Sequence, residues 1–73
     1  LEQRLAAYLL EESARQHTDK LKVTHEQLAQ NIGSAREAVT RTARQLAQKQ
    51  CVELKRGSVT ILDHEKLKEI CCG

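Results

Sequence analysis

Proline, methionine, tryptophan and phenylalanine are absent from this 73-residue chain, and Tyr8 is its one aromatic residue. Single-stranded nucleic acid held by stacking bases on aromatic rings therefore has no platform here. No apolar run approaches the ~18 residues that a membrane span requires, and no charged-then-apolar leader opens the chain. The expected setting is the cytoplasm, with no membrane partner. Three cysteines, Cys51, Cys71 and Cys72, make an odd count without CxxC spacing, and no histidine stands at zinc-ligand distance from a cysteine pair. That pattern argues against a disulfide framework, and Cys51 and Cys71 read as small buried hydrophobes. His17, His25 and His64 fall between the expected elements, as solvated surface residues. No nucleophile with a base and an orienting group can be assembled from these residues, so an enzyme is not expected. Neither a cofactor nor a metal is expected in this domain.

What is present is charge and a modest apolar fraction. Hydrophobic residues make up 40% and charged residues 30%, which fits one compact domain rather than a disordered tail. A domain of this size buries only about 60% of its unfolded surface, leaving no room for a deep catalytic cleft. The chain opens on Leu1 rather than methionine, so residues 1–73 are expected to be one domain of a longer protein. Six of the twelve basic residues, Arg36, Arg41, Arg44, Lys49, Lys55 and Arg56, share one window with only Glu37 and Glu53. The window carries +4, whereas the remainder has six basic residues against eight acidic ones. Such an asymmetry points to a polyanionic partner.

Along the chain, Leu1, Leu5, Tyr8 and Leu9 recur at helical spacing and predict a helix with one buried stripe over residues 1 to about 16. Leu21 and Val23 alternate with Lys22 and Thr24, as in a short strand or an extended connector. Two capping boxes follow, Thr24 with Gln27 and Ser34 with Glu37, and each marks a helix start. The first of these helices, about 25–32, carries Leu28, Ala29 and Ile32 inward and ends at Gly33, the C-cap that lets the chain turn sharply. Ser34 then opens the second, about 35–49. Helical rotation places Ala35, Val39, Thr42, Ala43 and Leu46 on one side of it. Arg36, Glu37, Thr40, Arg41, Arg44 and Gln48 fall on the other.

That outer set can be a solvated charged face, as most amphipathic helices have. Its sign favours recognition, because three arginines with one glutamate differ from the mixed pairs that merely stabilise a helix. Beyond it, Cys51 to Lys55 and Ser58 to Leu62 form two runs separated by Arg56 and Gly57, the pattern of a two-residue hairpin. If Lys55 pairs with Ser58, then Leu54 faces Val59 and Val52 faces Ile61, with all four apolar side chains on one face. Lys55 and Arg56 lie at the tip. Asp63 is the expected N-cap of a last short helix with Leu67, Ile70 and Cys71 inward. The fold class expected is mainly α with a small β-hairpin, a winged helix-turn-helix, with the helix-turn-helix at about 24–49 and the wing at about 51–62.

In this order of elements the chain resembles, over nearly all its length, the C-terminal DNA-binding domain of the Crp/Fnr superfamily of transcription regulators. The segment Arg36-Glu37-Ala38-Val39-Thr40-Arg41 looks like the R-E-x-V-x-R motif that starts the recognition helix in the catabolite-activator branch. The resemblance implies double-stranded DNA as partner. Base contacts are expected from Arg36, Glu37, Thr40 and Arg41, and phosphate contacts from Thr24, Ser34, Arg44, Lys55 and Arg56. Gly33 would be the family's turn glycine and Gly57 would stand at the wing tip. Many members carry serine or threonine at the positions of Ala35 and Ala38, where alanine cannot reach phosphate; Ser34 is the substitute. Glu37 has two competing roles, capping Ser34 or accepting from a base. An Arg, Glu and Arg set favours G·C pairs in the major groove. The resemblance also implies an upstream effector-binding domain and a homodimer in the full-length protein, with RNA polymerase a candidate partner. The reading from a different class is a winged helix whose arginines dock an acidic protein.

Overall fold

The stripe at the start of the chain becomes α1, Glu2–Gln16, which buries Leu5, Ala6, Leu9 and Ser13. Leu1 does not join it: it stands at the N-cap with 40% of its surface exposed. In the computed structural model, which describes residues 1–72, α1 is followed by β1 (Lys20–Leu21), α2 (His25–Ile32) and α3 (Arg36–Gln48). The wing strands β2 (Val52–Lys55) and β3 (Ser58–Ile61) come next, and α4 (His64–Cys72) closes the described chain.

The hairpin has the register its alternation predicts. Val52 faces Ile61, Glu53 faces Thr60, Leu54 faces Val59 and Lys55 faces Ser58. Gly57 takes φ +76° at the turn, a backbone conformation that costs glycine nothing and a branched residue a good deal. Leu62, expected as the end of the second run, lies past the strand and is 53% exposed. The sheet is larger than a hairpin. β1 pairs antiparallel with β3, Lys20 with Thr60 and Leu21 with Val59, giving a three-stranded sheet in the order β1-β3-β2. The segment from Leu21 to Val23 is thus a strand only at its beginning, and Val23 packs against the core from the connector.

One core joins all of this. Leu5 and Leu9 of α1, Leu28 of α2, Val39 and Leu46 of α3, Val52, Val59 and Ile61 of the sheet and Leu67 of α4 are buried together. Cys51 is buried just before β2, and its carbonyl accepts hydrogen bonds from the N–H groups of Leu62 and Asp63. Burial raises the pKa of its thiol. Asp63 caps α4 through Oδ1, which accepts from the N–H of Lys66 at 3.1 Å. The histidines are more engaged than their scatter implied. His17 is the left-handed C-cap of α1, while His25 and His64 each open a helix. His64 Nε2 lies 2.6 Å from Asp19 Oδ1, linking α4 to the turn after α1.

Candidate nucleic-acid interface

The helix-turn-helix begins with a complete capping box. Thr24 Oγ1 accepts from the N–H of Gln27 at 3.1 Å, and Gln27 Oε1 accepts from the N–H of Thr24 at 3.0 Å. As an acceptor in that box, the Thr24 hydroxyl retains its own proton for an outside group. At the other end of α2, Gly33 adopts φ +78°, and the N–H groups of Gly33 and Ser34 both return to the carbonyl of Ala29, at 2.8 and 3.0 Å. A Cβ on Gly33 would meet nothing within 4 Å, so the backbone angle rather than space requires glycine here.

The start of α3 differs from the expectation. Because the Ser34 N–H is tied back to Ala29, Ser34 belongs to the turn, and the extended residue Ala35 (φ −68°, ψ 142°) is the N-cap. No side chain caps α3. The box of Ser34 with Glu37 therefore does not form, since Glu37 is the second helical residue rather than the third. Of its two competing roles, capping is removed. Ala35, expected on the inner face, is exposed, while Val39, Thr42, Ala43 and Leu46 are buried as their spacing requires.

On the outer face of α3, Arg36, Glu37, Thr40, Arg41 and Arg44 line an open trough of about 730 Å³ together with Gln45 and Gln48. Among the described residues, none of its three arginines takes part in an ion pair. A second concavity, about 520 Å³, runs between the start of α2, this face and the wing tip. Thr24, His25 and Glu26 line it from α2, Arg36 and Arg44 from α3, and Leu54 to Gly57 from the wing. Thus all expected base-contact residues share the trough, and Thr24, Arg44, Lys55 and Arg56 share the groove beside it. Ser34 lines neither and is half-buried in the turn. Lys55 Nζ is 3.5 Å from Glu53 Oε1 on its own strand, whereas Arg56 has no ion-pair partner among the described residues.

Sequence reasoning missed one contact at this face. His25 Nδ1 lies 3.0 Å from Thr40 Oγ1 and ties the first turn of α2 to the middle of α3. No spacing rule reaches across the turn to signal it. The far end of α3 is secured separately. Lys49 Nζ donates to Glu2 Oε1 of α1 at 3.0 Å, and Lys66 Nζ of α4 donates to the carbonyl of Lys49 at 3.3 Å. Among the described residues no group of three or more His, Cys, Asp or Glu side chains could hold a metal ion, and no helix is long and apolar enough to cross a membrane.

Capped α2, glycine turn, polar α3 and the hairpin packed beside it define a winged helix-turn-helix domain. Residues 3–70 match the model of the Crp-like helix-turn-helix domain, and the chain belongs to that family, whose members bind DNA in transcription regulation. It is 38% identical over 76 residues to the transcriptional regulator SdrP of Thermus thermophilus, an alignment covering 96% of this chain and 38% of SdrP. It superposes with a TM-score of 0.97 and 41% identity on a crystal structure assigned to the Crp/Fnr family from Eubacterium rectale, over all of this chain and 34% of that one. On the catabolite activator protein of Thermus thermophilus the TM-score is 0.83 at 32% identity, over 99% of this chain and 34% of that one. This chain therefore spans roughly a third to two fifths of the length of these relatives.

Proposed function

We propose that α3 enters the major groove of double-stranded DNA and reads a G·C-containing half-site. Arg36 and Arg41 present guanidinium forks to guanine O6 and N7, Glu37 accepts from a cytosine amino group, and Thr40 supplies a hydroxyl to a neighbouring base. Thr24, Arg44, Lys55 and Arg56 hold the flanking phosphates, with Ser34 at the turn and the uncapped N-terminus of α3 favouring an anion. The observation that carries this reading is the trough itself: three arginines and a glutamate are gathered there without an ion pair among the described residues. Unpaired arginines keep their donors available to a partner.

One α3 spans only a few base pairs, so a useful specificity ratio requires two copies on an inverted repeat, with half-sites about 34 Å apart. The full-length protein supplies them as a homodimer, acts in the cytoplasm and presents its DNA-bound form to RNA polymerase.

Binding of the full-length protein to random duplex DNA and to sites selected from a randomised pool tests this, measured at increasing salt. The expected result is low-salt binding to both, with log K falling linearly against log salt and a selected inverted repeat rich in G·C. Absence of low-salt binding to random duplex would overturn the reading and favour docking of an acidic protein.

A further inference from the structure

Thr40 and Thr42 stand two residues apart on α3 and use their hydroxyls differently. Thr42 is buried, and its Oγ1 donates to the carbonyl of Ala38 at 2.9 Å, the bond that a helical threonine ordinarily makes one turn back. Thr40 has the equivalent opportunity at the carbonyl of Arg36. Instead its Oγ1 meets His25 Nδ1, and among the described residues this is the one hydrogen bond of the Thr40 side chain. Thr40 lines the trough, four residues from Arg36 and four from Arg44, which line both the trough and the groove. Its hydroxyl is thus held by a neighbouring helix at a place that faces outward.

We propose that His25 is a specificity-determining positioning residue, acting through Thr40 to set which hydrogen-bonding function α3 offers at that point of the major groove. The proposal rests on the reading of α3 as the base-reading helix. A threonine hydroxyl has one proton and two lone pairs. When Nδ1 of His25 is bare, the hydroxyl proton is directed to the ring and Thr40 offers DNA lone pairs only. It then accepts from the amino group of adenine or cytosine. When Nδ1 carries hydrogen, the ring donates to Oγ1 and the hydroxyl proton is available to guanine O6, purine N7 or thymine O4. In both cases the bond selects one of the two rotamers that threonine otherwise populates in a helix.

The cations of the groove that His25 lines, Arg36, Arg44, Lys55 and Arg56, attract any sequence, opposed by Glu26 in that groove, Glu53 beside Lys55 and Glu37 in the adjoining trough. A change confined to base preference at one position therefore separates the pair of His25 and Thr40 from the electrostatics around it.

The test is site selection from a randomised duplex pool by the full-length protein and its His25→Ala, His25→Asn and Thr40→Val variants, each checked for folding by its thermal melt. Loss of one hydrogen bond corresponds to about a five-fold fall in the ratio of preferred to next-best base. His25→Ala is expected to show that fall at one position per half-site, with random-duplex affinity nearly unchanged. Thr40→Val should alter the same position, and His25→Ala should add nothing further in its background. Asparagine places an amide near the position of Nδ1, so His25→Asn should keep a defined preference there. The proposal is overturned if His25→Ala weakens all sequences alike, or if it leaves untouched the position that Thr40→Val alters. Relaxed preference in Arg36→Ala and Arg41→Ala alongside such a result would sink the role of His25 alone. If those two variants also leave preference unchanged, the major-groove reading falls with it.

Discussion

Glu12 on α1 and Glu37 on α3 each have an arginine one turn downstream, and they treat it differently. Glu12 binds both Arg15 and Gln16, and these two donors hold its carboxyl below the usual carboxylate range. Glu37 precedes Arg41 by four residues, the favoured order for a helical ion pair, yet makes none. The contrast extends across the domain. Around α1 and α4, Glu2 pairs with Lys49, Asp19 with His64 and Glu65 with Lys68. Exposed pairs of this kind contribute little stability. What they do is occupy charge, whereas the three arginines on the outer side of α3 make no ion pair among the described residues.

The largest expected effect breaks the contrast on its open side. Arg36→Ala and Arg41→Ala should each cost about 1–3 kcal/mol on the preferred site and much less on random DNA. Their melting temperatures should match the parent, because neither side chain has a folded-state partner to lose. Equal losses on both DNAs would make them phosphate contacts. A second pair of variants compares the two helix starts. Thr24→Ala removes a complete capping box and should lower stability by about 1 kcal/mol, whereas Ser34→Ala caps nothing and should leave the denaturation midpoint in place. Comparable losses for both would return Ser34 to the N-cap.

Smaller effects sharpen the picture. Arg56→Ala should weaken binding to all sequences alike and reduce the salt slope by about 1; an altered base preference would make the wing a reader. On the paired side, the hydrogen bond from His64, helped by that from Ser13, lowers the Asp19 pKa. A depressed folded-state pKa stabilises above the unfolded value, near 3.9, and that contribution is lost as pH falls through the folded one. The stability gap between the parent and Asp19→Asn should therefore be present at neutral pH and close in acid below about pH 4. A gap that persists at the acid end would assign it to packing.

Much of this was legible in the sequence, for reasons that differ by element. The wing register could be derived because strict alternation and a glycine at the turn leave one pairing that puts Val52, Leu54, Val59 and Ile61 on one face. The first capping box was legible for the same reason: one register satisfied it. At the second, Ser34-x-x-Glu37 offered a start that was locally sound, and a tertiary detail overruled it, the return of the Ser34 N–H to Ala29. β1 was ambiguous because two residues carry too little pattern, and its partner lies across the chain in β3. The trough was readable from helical rotation. The His25 and Thr40 contact was not, since it depends on how α2 crosses α3.

Lys49 and Lys66 give this architecture a further property. The C-terminal end of α3 is gripped by α1 and α4, and Val39 anchors its first turn in the core, while Arg36 and Glu37 stand exposed at an uncapped start. A helix anchored along its inner side can have its outer side refashioned without loosening the grip. Substitutions at positions 36, 37 and 41 should thus behave as interchangeable letters, redirecting the domain to new operators while the fold that carries them stays the same.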